Sequence, residues 1–475
     1  MARAVSLTGQ LGVVSGTAVD AVMTRRLQDG DPSGEIRRVL KQFPDQKCVT
    51  EVLSRYFIEG GKAEHASYLD TPKPSLTPSQ FASQLVVLAN FVEVALAKEG
   101  NSGLIGVNFL EKIQLATPAS IFGAMIANVD YILMGAGIPS DIPQLIRDLL
   151  AEEKIHFKIK VEGADHPSLL IFDPHIIDGV DYESLKKPFF IAIVSSHILA
   201  NYLARDEETM PDGFVIEGPT AGGHNAPPRS KESVGSDGQS VFGEKDQADL
   251  SKVAALGLPF WLAGGYGTPQ KVKEAISLGA TGVQVGSLFA LTTESGITEN
   301  LRNEVLSRVQ SGTLEVRTEP HASSTGFPFK VIEINGTASE DSVYQGRTRQ
   351  CDLGYLRIPY KRPDDGIGYR CSGEPTRTFV FKGGDIDATK DVRCLCNALM
   401  ANIGLGQVRW GTYSEPALLT LGSDFSGIEE LNAIHNHFWT SSQVVEYLLS
   451  ESSGVSETSR SATEAVREEV QTPTR

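Results

Sequence analysis

Apolar positions along the chain fall into two alternating patterns. The first is a short, nearly continuous apolar run bounded by glycine or proline, as in Leu11-Gly-Val-Val-Ser-Gly16, Phe189-Phe-Ile-Ala-Ile-Val194, Gly213-Phe-Val-Ile-Glu217 and Pro259-Phe-Trp-Leu-Ala263. Runs of this length, rich in β-branched and aromatic residues, read as strands buried on both faces. Residues 103–109, 130–134 and 282–285 complete a set of seven. The second pattern has the helical period and occupies residues 17–27, 118–128, 142–153 and 268–278. Strands that alternate with helices predict a parallel sheet covered by helices, and over this length an α/β fold of the TIM-type (β/α)8 barrel kind.

Other segments interrupt the alternation. Helical patterns at 34–43, 46–57 and 79–98, broken by the proline-rich stretch Thr71-Pro-Lys-Pro-Ser-Leu-Thr-Pro78, form a helical insertion over about 30–100. Residues 156–161 and 168–172 flank Gly163 and Pro167, which suits an added hairpin at about 155–173. Counting 156–161 as a barrel strand instead gives eight, but too few residues then remain before Phe189 for a helix. The stretch 222–246 is polar and rich in Gly, Ser and Pro, as expected of a long loop over the barrel mouth. Beyond Arg317 the alternation stops. The expected division is therefore a barrel with its insertions over 1–316, an irregular cysteine-containing accessory module over 317–450, and a disordered tail over 451–475, where Ser, Thr, Glu and Arg replace large apolar residues.

Charge narrows the range of partners. The 475 residues carry 43 Lys and Arg against 59 Asp and Glu, a formal net charge of −16, so no general cationic surface exists to hold nucleic acid or an anionic membrane. The first ten residues lack the cationic region and apolar run of a secretory signal. The most apolar long stretches are interrupted by Gln84, Asn90 and Glu93, and by Ser195, Ser196, His197 and Asn201, which argues against bilayer spans. A cytoplasmic protein acting on a small molecule is the expectation, with neither nucleic acid nor membrane as partner and with the oligomeric state left open.

Candidate chemistry sits where strands end. Ala263-Gly-Gly-Tyr-Gly267 and Val285-Gly-Ser-Leu-Phe289 follow the last two strands. In (β/α)8 barrels the loops at that position commonly build a phosphate site, because glycine lets backbone N–H groups approach the oxygens. Glu217-Gly-Pro-Thr-Ala-Gly-Gly-His-Asn-Ala-Pro-Pro228 follows another strand. There Gly222 and Gly223 would let the backbone pass close to a flat ring, and His224 could exchange a proton near neutral pH. An isolated loop histidine is more often a surface residue, but a place just past the C-terminal end of a barrel strand reverses that reading.

On these pieces the sequence resembles the FMN-dependent nitronate monooxygenases, formerly called 2-nitropropane dioxygenases, and the related FMN-dependent enoyl reductases. The matching segments are Gly106-Val-Asn-Phe109, Ala221-Gly-Gly-His224, Ala263-Gly-Gly265 and Gly279-Ala-Thr-Gly-Val-Gln-Val-Gly-Ser-Leu-Phe289, in that order, within roughly residues 2–293. The resemblance implies FMN as cofactor. Asn108, Glu217, Gly222 and Gly223 would contact the flavin, Gly264, Gly265, Gly286 and Ser287 would hold its phosphate, and His224 would be the catalytic group facing substrate. The implied activity is oxidation of alkyl nitronates with O2. Three departures stand out: Asn225-Ala-Pro-Pro228 follows the histidine where the family often has a glycine two residues on, Glu217 replaces a flavin-side Gln, and the Gly-Thr-Arg-Phe type turn reads Gly286-Ser-Leu-Phe289. A carboxylate beside the flavin would repel an anionic nitronate unless protonated.

Two other readings stay open: reduction of an enoyl thioester by NAD(P)H through the same flavin, and a flavin-free barrel serving as a binding or assembly module. Cys351, Cys371, Cys394 and Cys396 follow a C-x19-C-x22-C-x-C pattern. Four thiolates could hold zinc or an iron–sulfur cluster, although paired C-x2-C spacing is absent and buried reduced cysteines are the commoner outcome. Cys48, in a helical pattern, reads as a core residue. The resemblance also implies a strand ahead of the first helix. Either the native start lies upstream of Met1 and supplies it, or another segment fills the gap between residues 11–15 and 282–285.

Overall fold

The computed structural model describes residues 1–230 and 233–450. Seven strands form one parallel sheet whose order follows the chain. They are β1 (Gly12–Ser15), β2 (Ile105–Leu110) and β3 (Tyr131–Gly135), then, after an antiparallel hairpin of β4 (Ile155–Ile159) and β5 (Ser168–Phe172), β6 (Phe189–Val194), β7 (Gly213–Glu217), β8 (Phe260–Ala263) and β9 (Gly282–Gln284). Helices α1 (Ala2–Leu7), α2 (Val19–Gln28), α3 (Glu35–Leu40), α4 (Gln46–Tyr56), α5 (Gln80–Lys98), α6 (Thr117–Ile126), α7 (Ile142–Leu150), α8 (His197–Leu203), α9 (Leu250–Ala254) and α10 (Pro269–Ser277) accompany them. The fold is α/β and of the TIM-barrel type, and it is open. β1 pairs with β2 and β9 with β8, and among the described residues no ladder joins β1 to β9.

The two-residue period of a strand decides what each side chain meets. Leu133, Ile191, Ile193, Val215 and Ala263 form the inner cluster of the barrel. Their neighbours Ile132, Phe190, Ala192, Phe214, Ile216 and Leu262 face outward into the larger core under the helices. By the same period Glu217, two residues past Val215, turns inward at the end of β7.

The helical insertion forms as its pattern implies. Asp45 caps α4 by accepting from the N–H groups of Lys47 and Cys48, and Ser79 caps α5 by accepting from Ala82 N–H. By length and apolarity α5 could cross a membrane, but here it packs against α2, α3 and α6 with Leu85, Leu88, Phe91 and Val92 buried. Its polar interruptions find partners, Gln84 donating to the Ile176 carbonyl at 2.8 Å, Asn90 to the Val86 carbonyl at 2.9 Å and Glu93 pairing with Arg26 at 3.4 Å, while Asn90 Oδ1 is buried without one. Cys48 is buried in the same core.

The region beyond Arg317 is more regular than its sequence pattern implies. It contains hairpins of β10 (Val316–Glu319) with β11 (Phe329–Ile332) and of β12 (Ile358–Lys361) with β13 (Ile367–Arg370), followed by helices at Leu395–Asn402, Ser426–His435 and Ser441–Leu449. Four-residue strands are too short to display a period, which is why they read as irregular. One hydrophobic cluster joins this region to the barrel: Val272 and Leu288 on the barrel side meet Ile332, Leu421, Ile428 and Trp439. The Trp439 indole is 1% exposed and donates to the Leu288 carbonyl at 3.3 Å. The expected tail, 451–475, lies outside the described residues.

Candidate active site at the barrel mouth

Strand β7 delivers Glu217 inward, and the chain then turns through Gly218 to His224, which forms an isolated antiparallel bridge with Phe329 of β11. The imidazole meets the Phe329 ring edge-on, with centroids 4.9 Å apart, and its Nε2 lies 2.7 Å from Ser323 Oγ. Ser323 Oγ is in turn 2.8 Å from Thr325 Oγ1, so a hydroxyl pair fixes the ring. Burial lowers the His224 pKa to about 4, which keeps the ring neutral at physiological pH.

Lys330, the only polar residue of β11, is 3% exposed. Its N–H donates to the Gly223 carbonyl at 2.9 Å, and its ammonium donates to Thr318 Oγ1 at 2.7 Å. Burial lowers its pKa to about 8, against the pull of the Glu217 carboxyl. Burial likewise raises the Glu217 pKa to about 8, opposed by Lys330. The carboxyl is thus largely neutral at pH 7, and the objection that a carboxylate would repel an anionic substrate loses most of its force.

Glu217 and His224 open onto one cavity of about 680 Å3, walled by Ile193, Val194 and Ser195 from the end of β6 and by Tyr355, Arg357 and Pro359 from the C-terminal region. That volume lies within the usual range for cofactor and ligand pockets. Lys112 and Lys160 also border it, with Lys112 paired to Glu111 at 2.8 Å.

Gly222, Gly223, Gly264, Gly265, Gly286 and Ser287 are not among the residues lining this cavity; His224 ties the first turn to it, and residues 420–424 join the turns to one another. Gly223 N–H donates to Thr420 Oγ1 at 2.8 Å, Gly422 N–H donates to Ser287 Oγ at 2.8 Å, and Ser423 N–H donates to the Thr220 carbonyl at 3.0 Å. Gly264 and Gly265 both have positive φ, +84° and +79°, and a Cβ on Gly264 would lie 2.9 Å from Ala221 N and Gly218 O. At Gly286 a Cβ would meet nothing within 4 Å, which leaves its backbone open to an approaching ligand. Asp424 is the adverse feature: its Oδ2 would be 3.5 Å from a Cβ on Gly265, a carboxylate beside the turn expected to hold phosphate. Asn108 is exposed on β2 and is not among the residues lining the cavity.

The structure therefore brings Glu217 and His224 to one cavity, gathers Gly222, Gly223, Gly264, Gly265 and Ser287 around residues 420–424, and leaves Asn108 apart from both groups. The free backbone at Gly286 and the roomy cavity onto which Glu217 opens are features that FMN would use, with Asp424 narrowing the place for its phosphate. Sequence reasoning missed Ser323, Lys330, Tyr355, Arg357 and residues 420–424. For Lys330 a signal existed, a lone cation inside the apolar run Phe329-Lys-Val-Ile332. All five cysteines are free thiols.

Residues 159–333 match the family model described as nitronate monooxygenase. A curated relative from Rhodococcus jostii (strain RHA1), a (3aS,4S,5R,7aS)-5-hydroxy-7a-methyl-1-oxo-octahydro-1H-indene-4-carboxyl-CoA dehydrogenase, is 23% identical over 179 residues, 34% of this chain and 45% of the relative. The chain thus spans under half the length of that relative. Among solved structures, FabK from Thermotoga maritima aligns over 80% of this chain and 83% of its own at 16% identity, with a TM-score of 0.43. Nitroalkane oxidase from Streptomyces ansochromogenes aligns over 78% and 85% at 13% identity, with a TM-score of 0.41. The enoyl reductase domain of MlnA from Bacillus amyloliquefaciens aligns over 98% of each chain at 12% identity, with a TM-score of 0.43. The stretch that matches the nitronate monooxygenase model, residues 159–333, carries β6 to β9 together with Glu217, His224 and the glycine turns.

Proposed function

We propose that the protein is an FMN-dependent oxidoreductase of the cytoplasm that oxidises alkyl nitronates at the barrel mouth. The observation that carries this reading is the pairing, on one cavity, of a neutral histidine with a largely neutral carboxyl group at the end of β7. FMN, when bound, supplies the electron acceptor that passes electrons on to O2.

This chain's own residues would bind and orient. With a pKa of about 4, His224 is too weak a base to remove a carbon-bound proton efficiently at neutral pH, so it acts best by donating a hydrogen bond to a substrate oxygen. Ser323, fixed by Thr325, holds the ring in one orientation. Glu217 in its protonated form adds a second donor and admits an anion that a carboxylate would exclude. Pre-formed nitronates, which already lack the proton, suit this pair better than neutral nitroalkanes.

One feature favours a second reading, reduction of an enoyl thioester by NAD(P)H. The cavity is large for a short nitronate, and Lys112, Lys160 and Arg357 border it, as a longer substrate bearing phosphate would require. Anaerobic mixing of the FMN-loaded protein separates the two readings. Bleaching of the flavin by a nitronate but not by NAD(P)H supports nitronate oxidation, and the reverse supports the reductase. A chain that folds but takes up no flavin overturns both.

A further inference from the structure

The fold brings together the four cysteines that lie apart in sequence. Cys351, Cys371, Cys394 and Cys396 all line one small void. Three of the sulfurs accept backbone amides: Gly373 N–H donates to Cys371, Asn397 N–H to Cys394 and Leu356 N–H to Cys396. The Ser324 hydroxyl also donates to Cys371. Amide donors aimed at sulfur are the usual surroundings of metal-bound thiolates and a principal means of tuning them. Cations stand around the set, with Arg347 acting on Cys394, and Lys73 and Arg357 on Cys351. Glu374, also at the void, is matched by Lys382 at 2.7 Å.

We propose that these four thiolates hold an iron–sulfur cluster. A single zinc ion would draw four sulfurs to about 2.3 Å from one point and leave no void between them. Here a void remains, and among the described residues no group of three or more His, Cys, Asp or Glu is drawn together as a metal-ion site. A cluster, with several irons sharing the four thiolates, needs the wider spacing. Each thiol gives up its proton as it binds iron, and the surrounding cations offset the negative charge that results.

The site would serve as a staple. The segment carrying Cys351 continues into Tyr355, Arg357 and Pro359, which wall the barrel-mouth cavity, and Arg357 borders both spaces. Cluster binding would fix that wall whatever substrate the cavity takes, so this proposal stands independently of the proposed activity.

The test is anaerobic reconstitution of the full chain with iron and sulfide, followed by iron, acid-labile sulfide and zinc analysis and electron paramagnetic resonance of the dithionite-reduced protein. About four irons and four sulfides per chain are expected, with a cluster signal, in the unaltered protein and in Cys48→Ser. Cys394→Ser and Cys396→Ser should lose the signal and most of the iron. Reconstituted protein holding less than about half an iron per chain overturns the proposal, as does stoichiometric zinc without iron. Full cluster content in both serine variants also overturns it. Because the unaltered chain decides the first two outcomes, misfolding of a variant does not protect the idea.

Discussion

The protonation of Glu217 can be tested through stability, separately from any activity. Burial raises its pKa from an ordinary 4.5 to about 8. The group therefore favours the folded state fully below pH 4.5, and that contribution is lost progressively as pH rises to about 8, because over this window the folded chain binds more protons than the unfolded one. Each pKa unit corresponds to about 1.4 kcal/mol, so the ceiling is on the order of 5 kcal/mol. Since the carboxyl opens onto a cavity of about 680 Å3 that admits water, a loss of about 2–3 kcal/mol is the better expectation. Glu217→Gln keeps the shape and the hydrogen-bonding capacity but cannot ionise. Urea unfolding of both flavin-free proteins at about pH 5, 6.5 and 8 isolates the effect, because the other titrating groups cancel in the difference. The Gln variant should gain stability over the parent as pH rises, reaching about 2–3 kcal/mol near pH 8. A difference that stays constant across these three values would show that Glu217 is ionised throughout, and the argument for a neutral carboxyl would fail.

Three further expectations rest on other features. His224→Ala should lower kcat/KM for nitronates by about 100-fold, as loss of a donor to a developing charge does; an unchanged value would remove His224 from the site. Glu415→Gln should cost about 3–5 kcal/mol, because Glu415 accepts from Arg347 at 2.8 Å and from Arg409 at 2.7 Å with all three side chains under 7% exposed. A thermal melt within a degree of the parent would contradict that. Gly264→Ala combines a positive φ with backbone contacts at 2.9 Å, so a loss of about 2–3 kcal/mol is expected in denaturant titration, and an unaltered midpoint would show that the turn can shift freely.

The barrel was legible in the sequence because its strands are buried on both faces, so each is a continuous apolar run that glycine or proline ends. β6 and β7 match their apolar runs residue for residue. Glu217 and His224 were legible because a strand end fixes where they emerge. Lys330, Ser323 and residues 420–424 were not, since they reach the mouth through contacts about 100 to 200 positions away, such as Lys330 N–H to the Gly223 carbonyl and Gly422 N–H to Ser287. No local period encodes such pairings. The weak basicity of His224 was hidden for the same reason, because the burial that causes it comes partly from Phe329 on a distant strand.

The central claim, that FMN sits at the barrel mouth with its phosphate on the glycine turns, is tested most directly at Gly286. A Cβ there would meet no protein atom within 4 Å and the residue lacks a positive φ, so Gly286→Val should fold as the parent does while its side chain fills the space a phosphate needs. Fluorescence titration of FMN into both proteins, with melting temperature as the check on folding, makes the comparison. The account expects saturable binding to the parent and a Kd raised at least about 100-fold in Gly286→Val, at equal melting temperature of the flavin-free chains. Equal affinity in the two proteins, or no binding to the parent, would contradict it.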